Sequence, residues 1–132
     1  MTTDIDLAAV MSGYLNCAIW TTTDEFGESF EGQFTVDDIT QESVNNAYAD
    51  VAAFVDSNCA DLIRYLADLN REPESIGHDF WLTRNRHGAG FWDRSYNDAH
   101  VAYLARLSDN ARIYGSAYLQ ETTPGGSLEI SG

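Results

Sequence analysis

The sequence predicts an α+β fold, with about three helices packed on a small, mainly antiparallel sheet of about four strands. Three observations predict it: long segments with helical spacing of apolar residues, an aromatic run beside a glycine-rich turn, and two short apolar runs near the C-terminus. With 132 residues, 44% of them hydrophobic, the chain is long enough to build a core. We expect one domain over residues 1–132.

The first and last helices are predicted from their caps and apolar spacing. Thr3 or Asp4 can cap a first helix that ends at about Cys17. Asn97 or Asp98 is expected to cap a last helix that ends at Tyr114, and Gly115 supplies its C-cap.

The strongest helical signal runs from Thr40 to Leu69. Thr40 is the expected N-cap, and the segment forms either one long helix or two nearly collinear helices broken near Ser57-Asn58. Eight apolar residues fall on one face of this helix: Val44, Tyr48, Val51, Val55, Cys59, Leu62, Leu66 and Leu69.

Four short strands are expected in the second half of the chain. Residues 79–83 and 90–93 are rich in aromatic and β-favouring side chains, and they flank a glycine-containing turn. Residues 116–121 and 127–130 form the other two strands, and Pro124-Gly125 fits the centre of a type II turn between them.

Charge is the unusual property of the composition. The chain has 21 acidic residues and seven basic ones, all of them Arg, for a net charge of −14. Residues 1–77 hold 15 acids with only Arg64 and Arg71, a balance of −13, whereas residues 78–132 hold six acids and five Arg, a balance of −1. Such a surface repels phosphate backbones, so direct nucleic-acid binding is not expected. The excess of acidic residues either keeps the protein soluble or binds a basic partner.

The acidic residues of the long helix are the candidate partner-binding set. They lie opposite its apolar face, and Arg64 is the single basic residue among them. Carboxylates on a helix can stand in for phosphates, and a basic cleft would attract them electrostatically. The candidate residues are Glu42, Asp50, Asp56, Asp61 and Asp68.

The central stretch Gly-His-Asp-Phe-Trp-Leu-Thr-Arg-Asn-Arg-His-Gly-Ala-Gly-Phe-Trp-Asp-Arg, residues 77–94, carries a resemblance. It resembles a block that recurs in small proteins of bacteriophages and mobile elements, most of unassigned function. Residues 18–24 and 111–118 are also similar to that group, although the Thr-Thr-Pro-Gly-Gly turn replaces a more acidic one. The resemblance implies a phage or prophage origin and implies no reaction.

The same block supplies the candidates for catalysis or ligand binding. His78, Arg84, His87 and Asp93 could act together in a small enzyme or ligand-binding protein, with His87 as a base and an Arg holding a phosphate. His78, Asp79, His87 and Asp93 lack a recognised metal-ligand spacing, so we expect no metal and no cofactor. A structural interpretation, in which the charges pair across a hairpin and the aromatic residues fill the core, explains the residues without chemistry.

Localisation follows from two further observations. Cys17 and Cys59 have no metal-ligand spacing and are expected to be reduced and buried. No apolar run approaches the roughly 20 residues that span a bilayer, so we expect no membrane association and a cytoplasmic location in the host cell.

The sequence therefore favours an acidic, phage-encoded binding protein. Its expected role is to inhibit a basic host protein that handles nucleic acid or acts in defence, such as a restriction or CRISPR factor, by mimicking nucleic acid. It would act as a monomer or homodimer. The alternative is a small enzyme or ligand-binding protein that uses the His, Arg and Asp set of residues 78–94.

Overall fold

The computed structural model describes residues 5–24, 26–86, 90–91, 98–122 and 126–131. The fold is α+β, as predicted, but helices dominate it, and the described residues contain five α-helices and a two-stranded antiparallel sheet instead of three helices and four strands. The elements are α1 (Leu7–Thr21), a 3₁₀ turn (Val36–Asp38), α2 (Gln41–Ser57), α3 (Cys59–Asp68), α4 (Pro73–Arg84), α5 (Asp98–Arg112), β1 (Tyr118–Glu121) and β2 (Leu128–Ser131).

Helix α1 begins and ends later than predicted. Its N-cap is Asp6, whose carboxylate accepts hydrogen bonds from the backbone N–H groups of Ala8 and Ala9 at 3.1 and 3.2 Å. This replaces the predicted cap at Thr3 or Asp4, because the cap is the acidic residue placed to satisfy the first free N–H groups.

The prediction for the 40–69 segment is confirmed in its two-helix form. The Thr40 hydroxyl caps α2 by accepting from the Ser43 N–H, and the break lies at Asn58. The Asn58 side-chain amide donates to the Phe54 carbonyl at 2.9 Å. The Asn58 backbone N–H also donates to the Phe54 carbonyl, so this carbonyl at the end of α2 accepts two hydrogen bonds from the residue at the break.

Helix α4 overturns the predicted strand at residues 79–83. Nearly all of its residues from Ile76 onward are buried, so this part of α4 is enclosed on almost every side and shows no helical apolar periodicity. Two glycines bring it against α1: a Cβ on Gly13 would lie 1.9 Å from the Glu74 carbonyl oxygen, and one on Gly77 would lie 1.9 Å from the Val10 carbonyl oxygen. The high strand preference of the aromatic run is overridden by this packing.

The second predicted strand of the central block is also absent where it can be followed. Gly90 and Phe91 are not in a strand, and the Phe91 N–H donates to Thr83 Oγ1 at 3.1 Å, which holds this segment against α4. Residues 92 and 93 lie outside the described part of the chain.

The C-terminal hairpin is confirmed close to its predicted bounds. β1 pairs antiparallel with β2, with Tyr118 opposite Ser131 and Glu121 opposite Leu128. The Thr40 N–H donates to the Leu128 carbonyl, so the start of α2 lies beside β2. The predicted Pro124-Gly125 turn falls outside the described residues.

Helix α5 ends at Arg112, two residues before the predicted end at Tyr114, and a turn leads from it to Gly115. Gly115 has a φ of +73° and its N–H donates to the Arg112 carbonyl, which is consistent with a C-terminal glycine cap. The predicted alternative cap at residue 97 lies outside the described residues, and the helix begins at Asp98.

Aromatic side chains form the centre of the core. The Phe54 and Phe80 rings stack with centroids 4.3 Å apart, and Phe91 packs against Phe54 and Tyr65. These contacts join α2, α3 and α4. Cys17 and Cys59 are both free; Cys17 is buried, as predicted, whereas Cys59 is only partly buried. Within the described ranges, no helix combines the length and apolar character needed to cross a membrane.

Candidate functional site

The five predicted partner-binding acids do not form one continuous free face. Three of them contact basic side chains of the same molecule. Asp50 accepts a hydrogen bond from Arg84 at 2.9 Å, and Asp61 receives two from Arg106, each at 2.9 Å. These interactions neutralise charge that the helical wheel alone assigns to the surface.

Asp68, the third of these acids, lies in a small polar cluster at the end of α3. The Tyr103 hydroxyl donates to Asp68 Oδ2 at 3.3 Å, while Arg64 and the His100 ring each place a nitrogen 4.0 Å from the same oxygen. The Arg64 guanidinium also lies over the Tyr103 ring, 4.5 Å from its centroid. Burial, together with Asp68, raises the pKa of Tyr103 to about 12, so its hydroxyl remains a donor.

Glu42 and Asp56 differ from the other three. Both side chains are exposed on α2, and neither has an ion-pair or hydrogen-bond partner within the described parts of the chain. They are the two members of the predicted set that remain available to a partner.

The Arg84 side chain from the central block is part of the core. It is 5% exposed and donates to four oxygens: the Tyr14 hydroxyl, Asp50, and the backbone carbonyls of Tyr114 and Gly115. Burial raises the pKa of Tyr14 to about 12 even though Arg84 acts in the opposite direction. This site, which we call the Arg84 site, joins α1, α2, α4 and the end of α5.

The candidate catalytic set is not assembled by its described members. His78 lines one cavity, between α1 and α4, whereas Arg84 lines another with Tyr14 and Asp50. His87 and Asp93 lie outside the described residues. The two described members of the set therefore do not share a cavity.

A buried carboxylate lies next to His78. Asp79 is fully buried and accepts a hydrogen bond from the Tyr65 hydroxyl at 2.5 Å, and His78 Nδ1 lies 3.5 Å from its other oxygen. Burial and the nearby Asp79 carboxylate raise the pKa of Cys17 to about 12. Cys17 is therefore a protonated thiol near neutral pH and lacks the thiolate that a cysteine nucleophile needs. No three His, Cys, Asp or Glu side chains within the described ranges are grouped to hold a metal ion.

A cavity of about 470 Å³ lies between α1 and α4 and has the exposed ring of Trp20 in its lining; it is here called the open cavity. Trp20 is 52% exposed, and its ring stacks on His78 with centroids 5.6 Å apart. The charged lining residues are Glu31, Arg71 and Glu74. Its polar and small lining residues are Ser12, Gly13, Asn16, Cys17 and Ser75.

Sequence reasoning missed every charged residue of the open cavity. Glu31 is in the loop before α2, Arg71 precedes α4, and Glu74 is in the first turn of α4. The available signal was weak: Gly13 and Gly77 lie within helices, and such glycines often mark close packing of two backbones. Recognising that α1 and α4 pack together required the prediction of α4 as a helix.

No protein-family model matches this chain, and no curated protein or solved structure shows significant similarity to it.

Proposed function

We propose that this chain is an acidic binding protein that engages a basic partner protein through the negative surface of its first half. The observation that carries the proposal is the distribution of basic side chains. Residues 1–63 contain twelve acidic residues and no Lys, Arg or His. A surface with this imbalance attracts basic proteins over long range and repels nucleic acid.

Several of the arginines that follow are paired with acidic side chains of the same molecule. Arg84, Arg106 and Arg112 lie within 4.0 Å of Asp50, Asp61 and Asp109 respectively. They therefore supply little positive charge to the surface around α2. Glu42 and Asp56, the acids of α2 without such a partner in the described part of the chain, remain uncompensated, which is the condition that electrostatic attraction to a basic partner requires.

The exposed face of α2 is the part of this surface best suited to contact. Glu42 and Asp56 lie at its two ends, and the exposed Ala49 and Ala53 lie between them. Fourteen residues at 1.5 Å per residue separate the two carboxylates by roughly 21 Å along the axis. The small side chains between them leave room for a partner surface to approach the helix closely.

The proposed class of partner is a host protein that handles nucleic acid or acts in defence against phage. Such proteins carry basic clefts, and a negative helix face competes for them as a nucleic-acid mimic. The resemblance of residues 77–94 to phage and mobile-element proteins supports this class. In this proposal, Glu42 and Asp56 contact the partner, whereas Asp50, Asp61 and Asp68 position the helices that present them.

Capture from a bacterial lysate tests the proposal. The immobilised protein is mixed with nuclease-treated lysate at about 0.05 M and about 0.5 M NaCl, since salt shortens the reach of charges at a surface. We expect basic nucleic-acid-binding proteins to be retained at low salt, displaced at high salt and displaced by duplex DNA. Captured proteins are identified by mass spectrometry.

Two variants with the same change in net charge distinguish binding through the α2 face from attraction by the total negative charge. Glu42→Gln/Asp56→Asn is compared with Glu72→Gln/Asp109→Asn, which removes the same charge away from the α2 face. The proposal requires the first variant to lose most of the captured protein and the second to retain it. Equal retention by both variants, or no basic protein captured at low salt, would contradict it.

A further inference from the structure

The open cavity holds charged groups that the fold leaves unmatched. Glu31, Arg71 and Glu74 all line it, and none has an ion-pair or side-chain hydrogen-bond partner within the described ranges of the chain. By contrast, the guanidinium of Arg84 is hydrogen-bonded to four oxygens. The carboxylates outnumber the guanidinium in the cavity by two to one.

The cavity also presents an aromatic ring. Trp20 stacks on His78 with an angle of 28° between the ring planes, yet 52% of the Trp20 residue surface stays exposed. The electron-rich face of a tryptophan ring attracts cations, most strongly among the aromatic side chains. An exposed tryptophan beside two carboxylates therefore favours a positively charged group that has a flat or compact head.

We propose that the open cavity receives an arginine or lysine side chain of the basic partner. The cationic head packs against Trp20 and faces the carboxylates of Glu31 and Glu74. A volume of about 470 Å³ accommodates one such side chain together with water. Tryptophan and arginine are enriched among the residues that dominate binding energy in protein interfaces. This proposal rests on the proposed function, because it assumes a basic partner.

The effect of neutralising Arg71 on ligand affinity distinguishes a cationic ligand from an anionic one. A cationic head in the cavity is repelled by Arg71, so neutralising Arg71 should strengthen binding. An anionic or zwitterionic ligand would instead use Arg71 to hold its negative group, so the same substitution would weaken binding.

Two small probes test the cavity without knowledge of the partner. N-acetyl-L-arginine amide carries the charged head, and N-acetyl-L-citrulline amide is its neutral counterpart of nearly the same shape. Binding to the full chain is followed at low salt by the NMR shift of the Trp20 indole N–H, assigned with Trp20→Phe. We expect a saturable shift in the millimolar range with the arginine probe and a much weaker response to the citrulline probe.

Variants assign the effect to the cavity. Glu31→Gln and Glu74→Gln should each raise the dissociation constant of the arginine probe roughly two- to fivefold, and Arg71→Gln should lower it by roughly twofold or more. Asp109→Asn is the control and should leave it unchanged. Thermal unfolding followed by circular dichroism verifies that each variant is folded.

The outcomes for the cavity and for the proposed function are distinct. Equal binding of both probes, or weaker arginine binding in Arg71→Gln, overturns the cavity proposal, and capture of a basic partner through the α2 face then still supports the proposed function. Saturable, charge-dependent binding of the arginine probe supports the cavity even if the lysate experiment fails.

Discussion

The Arg84 site and the open cavity both involve helix α4, but the charge at the first is hydrogen-bonded within the protein and, among the described residues, the charges in the second are not. At the Arg84 site, a guanidinium that is 5% exposed is hydrogen-bonded to Asp50, to Tyr14 and to two backbone carbonyls. In the open cavity, Arg71 and Glu74 lie at or near the start of the same helix without such partners. Water can hydrate the charges of the open cavity, whereas the buried charge of Arg84 depends on hydrogen bonds from the protein.

The difference follows from desolvation. A buried charge loses its hydration, and the loss is tolerated only when the protein supplies counter-charges and hydrogen bonds. A charge that faces a wide cavity keeps its hydration and needs no partner to be stable. Unmatched charges in a concave, accessible place are therefore free to be matched by another molecule. Four substitutions or sets of substitutions test this contrast, in order of decreasing expected effect on the free energy of unfolding.

Arg84→Met should be the most destabilising. It removes the four hydrogen bonds of a buried guanidinium, and a hydrogen bond that involves a charged group contributes about 1.5–3 kcal/mol. The Asp50 side chain is 42% exposed and can be hydrated in the variant, so we expect a total loss of about 2–4 kcal/mol. Chemical denaturation at neutral pH measures the loss. Arg84→Lys should recover only part of it, because an ammonium group cannot reproduce the fork of donors. A loss below about 1 kcal/mol for Arg84→Met would break the contrast between the two sites.

Gly13→Ala tests the close packing of α1 and α4 that creates both the core and the cavity. In an unobstructed helix this substitution stabilises by about 1 kcal/mol. Here the new Cβ would lie 1.9 Å from the Glu74 carbonyl oxygen, so we expect destabilisation by about 1–3 kcal/mol instead. The neighbouring exposed Ser12→Ala is the control and should be neutral or slightly stabilising. A gain in melting temperature for Gly13→Ala would show that the helices are less close than described.

Asp61 and Arg106 form a partly exposed ion pair, less buried than the Arg84 site but better paired than the charges of the open cavity. A double-mutant cycle with Asp61→Asn and Arg106→Gln should give a coupling of about 0.2–1 kcal/mol, because solvent screens the pair. The hydrogen bonds from Arg106 hold the pKa of Asp61 below its ordinary value of 3.8. The Asp61 carboxylate therefore binds a proton less readily in the native state than in the unfolded state.

The stabilisation that the Asp61–Arg106 pair contributes should decrease at low pH. The stabilisation is fully present above the ordinary pKa and is lost as the pH falls through the lower pKa of the folded state. The difference in unfolding free energy between wild type and Asp61→Asn should thus shrink on acidification below about pH 4. A difference that grows on acidification would contradict the assigned pair.

The smallest effects should come from the open cavity. Glu31→Gln, Glu74→Gln and Arg71→Gln should each change the free energy of unfolding by less than about 0.5 kcal/mol, because none of these charges has a partner to lose. The same denaturation measurements serve as the test. A loss above about 1 kcal/mol for any of them would show that the cavity charges support the fold and are not available to a ligand.

Local signals in the sequence predicted the elements whose ends are set by neighbouring residues. Thr40 as a cap, the break at Asn58 and Gly115 after the last helix were all recognised, because each depends on hydrogen bonds or backbone angles within a few residues. The hairpin of β1 and β2 was recognised for the same reason. The cap of α1 was misplaced because several polar residues precede Leu7 and all of them suit the role.

The central block was misread because burial hides periodicity. Phe80, Trp81 and Leu82 favour strands, and a helix buried all around offers no polar face to mark its period. The hairpin prediction pairs Arg84 with a charge on the neighbouring strand. In the structure its partner is Asp50, on α2.

By itself, the sequence determined the α+β class, the start of α2 at Thr40 and its break at Asn58, the terminal hairpin and the strongly acidic first half. The tertiary structure alone decided that residues 79–83 are helical, which acids of α2 and α3 are neutralised, and that α1 and α4 enclose a cavity beside Trp20. The reason is distance along the chain. Caps act over three or four residues, whereas Arg84 reaches Tyr14 across a separation of 70 residues, and only packing brings such groups together.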